Sequence, residues 1–402
     1  MKIATLKDLN LENKTVLARV DINSPIDPET GEIFDDMRIK SHLPTIEALK
    51  NSRLVLLAHQ SRPGRSDFTT LEKHAKILEK LCSSIKYVDC IFGGAAKREI
   101  DSLENGGVLV LENVRFFSEE TNSEIIKRTP EEQAQTVLVK RLSSYVDAYV
   151  NDAFAVSHRN QPSVVAFPRV LPSCAGKLME SEVTNLENVM AYKEKPKVFL
   201  MGGAKAKDSI NVMKKIMDNE VADTVLVSGL VGTIFLSADG ANIGEENKKI
   251  LKGKGLESLV PEAGELLKKY RERIEMPVDL AFQKNGSRDE FSVKTPEDHQ
   301  IMDIGAESIS RYREIIEGAK LVVANGPCGV FEKKEFSLGT EEMIKSIAES
   351  KGFSVISGGH LSAMAQKLDI ANKISYISTG GKATMSFLAG EKLPGVEALK
   401  KV

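Results

Sequence analysis

Tryptophan is absent from the 402 residues, and only four cysteines occur, Cys82, Cys90, Cys174 and Cys328. They are scattered, with no C-x-x-C pair, which argues against a zinc knuckle or a disulfide framework and suits a reducing compartment. An excess of one charge is also missing: 55 Lys plus Arg against 57 Asp plus Glu leave a formal charge of −2. A surface built to coat DNA or RNA is therefore not expected. No apolar run approaches the roughly 18–20 residues that cross a bilayer, and the start, MKIATLKDLN, lacks the apolar core of a secretory signal. There is no H-E-x-x-H, no G-x-S-x-G elbow, no Walker A loop and no G-x-G-x-x-G turn. Zinc hydrolases, serine hydrolases, P-loop NTPases and nicotinamide dehydrogenases thus lack their usual signatures. With 42% hydrophobic and 28% charged residues, the expectation is a cytoplasmic globular protein, and the length predicts two domains.

What is present is a recurring short, apolar, β-rich run that stops abruptly in Gly, Asn, Asp or His. The first half has TVLARVDIN, RLVLLAHQ, VLVLENVRF and DAYVNDAF; the second has KVFLMGG, TVLVSGL, MPVDLAF, LVVANGP, FSVISGG and ISYISTGG. Helical patterns lie between them, for instance over 71–81, 131–144 and 341–351. Near-continuous apolar strands alternating with amphipathic helices predict two doubly wound, mostly parallel-sheet α/β domains, Rossmann-like in architecture. Pro162, Pro168 and Pro172 mark the expected boundary, and a long connector helix is predicted from Cys174 to Tyr192, where Leu178, Met179, Val183, Leu186 and Val189 recur at helical spacing. FQKNGSRDEFSV (282–293) reads as a peripheral hairpin with an Asn-Gly turn.

In open parallel sheets ligands bind beyond the carboxyl ends of the strands. In the first half these ends carry Asp21 and Asn23, His59 and Arg62, Arg115, and His158 and Arg159, with Arg38 in the segment after the first strand. Any one of them has an ordinary reading as a surface ion-pair partner. Their repetition at one sheet edge predicts a strongly anionic small ligand, because guanidinium forks match phosphate and carboxylate oxygens. The second half has glycines at its strand ends: Gly202-Gly203, Gly229, Gly326, Gly358-Gly359 and Gly380-Gly381. Glycine there allows close backbone approach, and the helix predicted to begin near His360 would offer N–H groups to phosphate; a tight turn or helix packing is the rival explanation. Lys205 follows the first diglycine. Cys328 reads as a small packed residue ahead of a nucleophile. An anion-gripping half and a phosphate-cradling half imply group transfer between two substrates, with closure to exclude water, and phosphoryl transfer is the natural candidate.

At this level of detail the chain resembles the phosphoglycerate kinase family. RVDINSP (19–25), LENVRFFSEE (111–120), YVNDAFAVSHR (149–159), GGAKAKDSI (202–210), NGPCGVFE (325–332) and STGGKA (378–383) occur in family order. The resemblance implies reversible phosphoryl transfer between 1,3-bisphosphoglycerate with ADP and 3-phosphoglycerate with ATP, by in-line transfer after domain closure, with Mg²⁺ carried mainly by the nucleotide. It implies a phosphoglycerate domain over 1–170, a connector helix over 173–192, a nucleotide domain over 193–385, and a tail over 386–402 that returns to the first domain. It places phosphoglycerate on Asp21, Asn23, Arg38, His59, Arg62, Arg115 and Arg159, and the nucleotide on Lys205, Asn325, Glu332, Ser357, Gly358, Gly359 and His360. Arg38 and Lys205 would steady the transferring group, Glu332 would take the ribose, and no residue is assigned as a metal ligand. No nucleic acid, membrane or obligate protein partner is implied. The family's G-G-D-T is Gly358-Gly359-His360-Leu361 here, so the Asp that commonly helps hold Mg²⁺ is replaced. Ser209 stands where a second lysine is usual, Ala324 replaces the Trp of W-N-G-P, and H-L-G-R-P is His59-Gln60-Ser61-Arg62-Pro63. GGHL resembles the archaeal branch of the family. A module that kept both pockets and lost transfer is the alternative reading, and a nicotinamide dehydrogenase a more distant one.

Overall fold

Strand β1 (Thr15–Arg19) shows how the sequence builds its first sheet: all five residues are buried, and successive side chains enter different cores. Val16 and Ala18 pack with Leu54, Leu56, Val108 and Val150 on one face, while Leu17 packs with Val55, Leu57, Leu109 and Tyr149 on the other. A strand apolar at nearly every position is buried on both faces, which is the condition of a parallel sheet covered by helices. The computed structural model describes residues 2–27, 29–284, 286–294 and 298–401, and these fall into two units. One runs to Thr184 and regains the chain from Lys392; the other is Asn185–Glu391.

The first unit's sheet adds β2 (Arg53–Leu57), β3 (Ile85–Tyr87), β4 (Val108–Val110), β5 (Ala148–Asn151) and β6 (Ser173–Ala175) to β1, in the order β3-β4-β2-β1-β5-β6, every pair parallel. The strands that follow β1 in the chain lie on one side of it up to β4 and on the other from β5, so the switch point lies at β1. Its carboxyl end is where Asp21 and Asn23 emerge. Residues 392–401 complete this unit: the Ala4 N–H donates to the Leu399 carbonyl (2.9 Å) and the Gly395 N–H to the Ser157 carbonyl (2.9 Å).

The second unit has a parallel sheet of β7 (Lys197–Met201), β8 (Thr224–Val227), β9 (Ile274–Glu275), β13 (Leu321–Asn325), β14 (Phe353–Ser357) and β15 (Tyr376–Ser378), ordered β15-β14-β13-β7-β8-β9. Here the switch lies between β7 and β13. A separate antiparallel sheet, β11-β10-β12, is formed by β10 (Asp279–Lys284), β11 (Ser287–Ser292) and β12 (Ile301–Ile304).

Several expectations need correction. MPVDLAF supplies β10 of the antiparallel sheet and not a strand of the parallel one. The hairpin joins Lys284 to Ser287, but Asn285 of the expected turn lies outside the described residues. Pro162 and Pro168 do not mark a boundary: they sit in the short helices Pro162–Val165 and Phe167–Arg169, whose Val164, Val165 and Phe167 are fully buried in the first unit. The connector helix is Lys177–Ala191, because Ser173–Ala175 pair with β5 as an edge strand. Its residues after Thr184 belong to the second unit, and the returning segment starts at Lys392.

His74 gives this fold a pH dependence. It is fully buried on the helix Glu72–Leu81, and its Nε2 lies 3.0 Å from the buried Gln60 Oε1. Burial pushes its pKa down to about 4. Between that value and its ordinary pKa near 6.5 the unfolded chain binds the proton and the folded chain does not, so stability falls as pH drops from 6.5 and levels off near 4. The full loss is about 3 kcal/mol at 1.36 kcal/mol per pKa unit. Urea midpoints at pH 7 and pH 4.5 should differ accordingly, and His74→Phe should flatten much of that difference; an unchanged pH slope in the variant would remove His74 as its source.

Candidate functional site

In the first unit the carboxyl ends of β1, β2 and β5 bring most of the expected residues together. Asp21 is buried, and its Oδ2 accepts from Arg38 Nη1 at 2.5 Å. Arg38 lies on the short helix Met37–Ser41, with its side chain 34% exposed. Asn23 turns its Oδ1 back to accept the Ser61 N–H at 2.7 Å. That leaves its amide N–H₂ as the end available to a ligand.

His59 is buried behind this pair. Arg19 Nη2 reaches its Nδ1 at 3.1 Å, so Nδ1 acts as acceptor and Nε2 carries the hydrogen. Burial, reinforced by Arg19, Arg115, Arg159 and Arg38, holds its pKa well below the ordinary histidine value. His59 is therefore a neutral donor. Arg115 extends from the 3-10 turn Val114–Phe116 that follows β4. It is only 6% exposed and donates Nη1 to the Ser61 carbonyl. Its Nε and Nη2 are buried and find no partner among the described residues. Burial, then Arg159 and Arg19, lower its pKa to about 10, so it stays charged at neutral pH. Arg159 and Arg62 are exposed at the same edge, and Arg159 senses both Asp21 and Arg62. His158 is half-buried beside Arg159 in sequence.

Sequence reasoning missed the layer beneath. Arg19 is fully buried; it donates Nε to Ser163 Oγ (2.9 Å), and that hydroxyl donates to Glu120 Oε1 (2.7 Å). Glu120 is thereby held behind the arginines as a buried counter-charge. An arginine inside the apolar run TVLARVDI was the available signal, since buried arginine is rare unless paired. Gln60 was also missed: its Oε1 accepts the Ser24 N–H and its Nε2 donates to the Ser24 carbonyl, each at 3.0 Å. This clamps the Asp21 loop to the Ser61 loop. Ser61 itself has φ 54°, a left-handed conformation costly for a side-chain-bearing residue. Its Oγ–H donates to Asp67 Oδ1 at 2.5 Å.

In the second unit the turn glycines divide into two kinds. Gly202, Gly203, Gly229 and Gly326 pack backbone against backbone: the Gly203 N–H donates to the Pro327 carbonyl (2.8 Å) and the Gly229 N–H to the Cys328 carbonyl (3.0 Å). Their glycine content answers to this packing, and the N–H groups of Gly202, Gly203 and Gly229 are taken by backbone carbonyls, so the expectation that these three face a phosphate is corrected. Gly326 has φ +82°, and a Cβ added to it would lie 2.3 Å from the Gly202 carbonyl oxygen. Gly326→Ala should accordingly cost about 1–3 kcal/mol from overpacking alone, read as a lower denaturant midpoint; an unchanged midpoint would contradict this account. Gly359 and Gly381 have open space around them. Gly358, φ +98°, caps the helix Gly359–Lys367 directly after β14, and a Cβ added there would meet only Asn325 Oδ1, at 3.6 Å.

Around that helix start stand His360, whose ring packs on Phe331 at 4.6 Å, and the exposed Glu332 and Lys205. Desolvation lowers the His360 pKa; Glu332 opposes the shift and Lys205 adds to it. Ser357 is fully buried and its Oγ has no partner among the described residues. Lys205 precedes the helix Ala206–Asp218, on which Ser209 is buried and Lys207 exposed. Lys382 Nζ reaches Asp208 at 2.9 Å. Cys328 is no nucleophile: burial, helped by Asp303, pushes its thiol up to about 12.

A polycationic cluster and an open, glycine-capped helix start, each at the carboxyl edge of a parallel sheet, are the features of a phosphotransferase. The chain matches the family model "Phosphoglycerate kinase" over residues 6–391. It is 49% identical to the phosphoglycerate kinase of Methanothermus fervidus, covering 100% of this chain and 97% of that one. It is 47% identical to the enzyme of Methanothermobacter thermautotrophicus over the same shares. Among solved structures, the phosphoglycerate kinase of Pyrococcus horikoshii superposes with a TM-score of 0.94 at 43% identity, covering 99% of this chain and 98% of that one. That of Coxiella burnetii gives 0.78 at 29% identity with the same coverage. The chain belongs to the phosphoglycerate kinase family.

Proposed function

We propose that the first unit binds 3-phosphoglycerate or 1,3-bisphosphoglycerate and the second binds ATP or ADP, and that the chain moves one phosphoryl group between them. The observation that carries this is Arg115, whose buried Nε and Nη2 have no partner among the described residues and lie beside a neutral His59 in a field of arginines. Buried charge-bearing donors without partners are costly, and a small polyanion satisfies them. Asp21, Asn23, Arg38, Arg62 and Arg159 complete the binding set. On the nucleotide side, the N–H groups of the first turn at Gly359 and His360 offer donors to phosphate. Lys205 supplies the cation, Ser357 and Asn325 line the turn, and Glu332 takes a ribose hydroxyl.

In the direction of acyl phosphate formation, a carboxylate oxygen of 3-phosphoglycerate bonds to the γ-phosphorus of ATP as the bond to the β–γ bridging oxygen breaks. ADP leaves with that electron pair. The chain's task is to position both ends and balance charge, with no covalent enzyme intermediate. Mg²⁺ enters as part of the nucleotide substrate. Among the described residues no group of three or more His, Cys, Asp or Glu could hold a metal, and His360 is a poor ligand for an ion that prefers oxygen.

A coupled assay with 3-phosphoglycerate, Mg-ATP and glyceraldehyde-phosphate dehydrogenase tests the proposal. NADH loss should require both substrates, stop on chelation and return with added Mg²⁺. Binding of both ligands without turnover would instead make this a module that kept its pockets and lost transfer.

A further inference from the structure

His42 was not among the residues that the sequence singled out, yet it is 1% exposed and lies directly beneath the phosphoglycerate site. Its Nε2 accepts the backbone N–H of Asp21 at 3.0 Å and lies 3.2 Å from the Asp21 carbonyl oxygen. Its Nδ1 donates to Asp152 Oδ2 at 2.7 Å. Asp152 is fully buried. Its other oxygen, Oδ1, accepts the N–H groups of Leu178 (2.9 Å) and Met179 (3.2 Å), in the first turn of the Lys177–Ala191 helix. The remaining first-turn donor, the Lys177 N–H, is taken by Thr45 Oγ1 at 2.8 Å, three residues on from His42. Gly176 has to be a glycine here, because an added Cβ would sit 2.2 Å from Asp152 Oδ1.

An N-cap needs only one carboxylate oxygen. The second oxygen, aimed at an imidazole whose far nitrogen holds the Asp21 backbone, goes beyond capping. The carboxylate fixes hydrogen on Nδ1, which leaves Nε2 as the acceptor the Asp21 N–H requires. Asp21 in turn grips Arg38. We propose that His42 and Asp152 are positioning residues that fix the Asp21–Arg38 pair to the first turn of the Lys177–Ala191 helix, so that ligand binding at Asp21 and the state of that turn are coupled. The proposal rests on the reading of Asp21 and Arg38 as phosphoglycerate ligands.

Asp152→Asn sharpens it. One amide oxygen cannot serve both the helix N–H groups and His42 Nδ1–H. If the oxygen keeps the helix, the amide N–H₂ faces His42 and drives its hydrogen to Nε2. The Asp21 N–H then loses its acceptor. In His42→Gln the amide can still accept from Asp21 and donate to Asp152, whereas His42→Ala can do neither.

The experiment has three readouts on the full chain. Nitrogen-15 histidine spectra of the wild type, with His42 assigned by comparison with His42→Gln, should show hydrogen on Nδ1. Hydrogen exchange at the Leu178 and Met179 amides should slow when 3-phosphoglycerate is added to the wild type, lose that response in His42→Ala and recover much of it in His42→Gln. The KM for 3-phosphoglycerate should rise on the order of tenfold in His42→Ala and in Asp152→Asn with the KM for ATP unchanged, about 1.4 kcal/mol. A wild-type His42 carrying hydrogen on Nε2, alone or together with Nδ1, overturns the proposal whether or not the variants fold. Exchange and KM in His42→Ala equal to wild type also overturn it, while leaving the site assignment standing. A wild type that does not bind 3-phosphoglycerate, or binds it no more weakly after Asn23→Ala, removes the assignment and the proposal together.

Discussion

Arg38→Ala lowers kcat on the order of 10²–10³-fold, the usual cost of removing a group that stabilises charge in the transition state, while the KM for ATP stays within a few-fold. Arg38 is the arginine of the cluster that is neither buried nor free. One nitrogen is held by Asp21 Oδ2 at 2.5 Å, and a third of the side chain faces solvent. It can therefore keep its ion pair and still present N–H groups outward. Alanine removes that charge and leaves the Asp21 carboxylate buried without its cation, so the KM for 3-phosphoglycerate also rises. Arg38→Lys restores charge without the planar fork and should recover only part of the loss. Initial rates over a matrix of both substrate concentrations separate these effects. Near-normal turnover in Arg38→Ala would take Arg38 out of the chemistry.

Arg115→Met should act on binding more than on turnover. Methionine fills much of the arginine's volume, so the core around Val114, Leu111 and Phe117 keeps its packing. What is lost is the donor to the Ser61 carbonyl and the two buried N–H groups that have no partner among the described residues. Hydrogen bonds to charged groups are worth about 1.5–3 kcal/mol, and the affinity for 3-phosphoglycerate should fall on the order of 10–100-fold with nucleotide affinity unchanged. Calorimetric titration of each ligand against the variant measures this directly. Wild-type affinity would mean that Arg115 is structural and that its open donors face something other than this substrate.

The strands that run apolar nearly from end to end were readable because burial on both faces writes itself into every position, as in TVLAR and KVFLM. The short edge strands Ile85–Tyr87 and Ser173–Ala175 were not, since their burial alternates or is brief and edge pairing leaves little compositional trace. The polar ends of β1, β2, β4 and β5 were visible as interruptions of apolar runs. What held them was not. Arg19 acts through Ser163, Gln60 through Ser24 and His42 through Asp152, partners more than thirty residues away in each case. Spacing carries no record of such pairs without the topology. The glycines misled in a similar way. Gly202 and Gly326 share with Gly358 their place after a strand, and only the neighbouring backbone separates those that make room for each other from the one that opens outward.

The return of residues 392–401 to the first unit has a consequence for how the protein comes into being. The bridge between Ile3 and Lys400 and the bond from Ala4 to Leu399 join segments that are made on either side of the whole second unit. The first unit is thus begun before the second and completed only after it, whereas Asn185–Glu391 is one uninterrupted stretch whose strands are all available before residues 392–401 are made. Vectorial synthesis therefore favours the second unit as the earlier to settle, and makes the emergence of residues 392–401 the step at which the first can close.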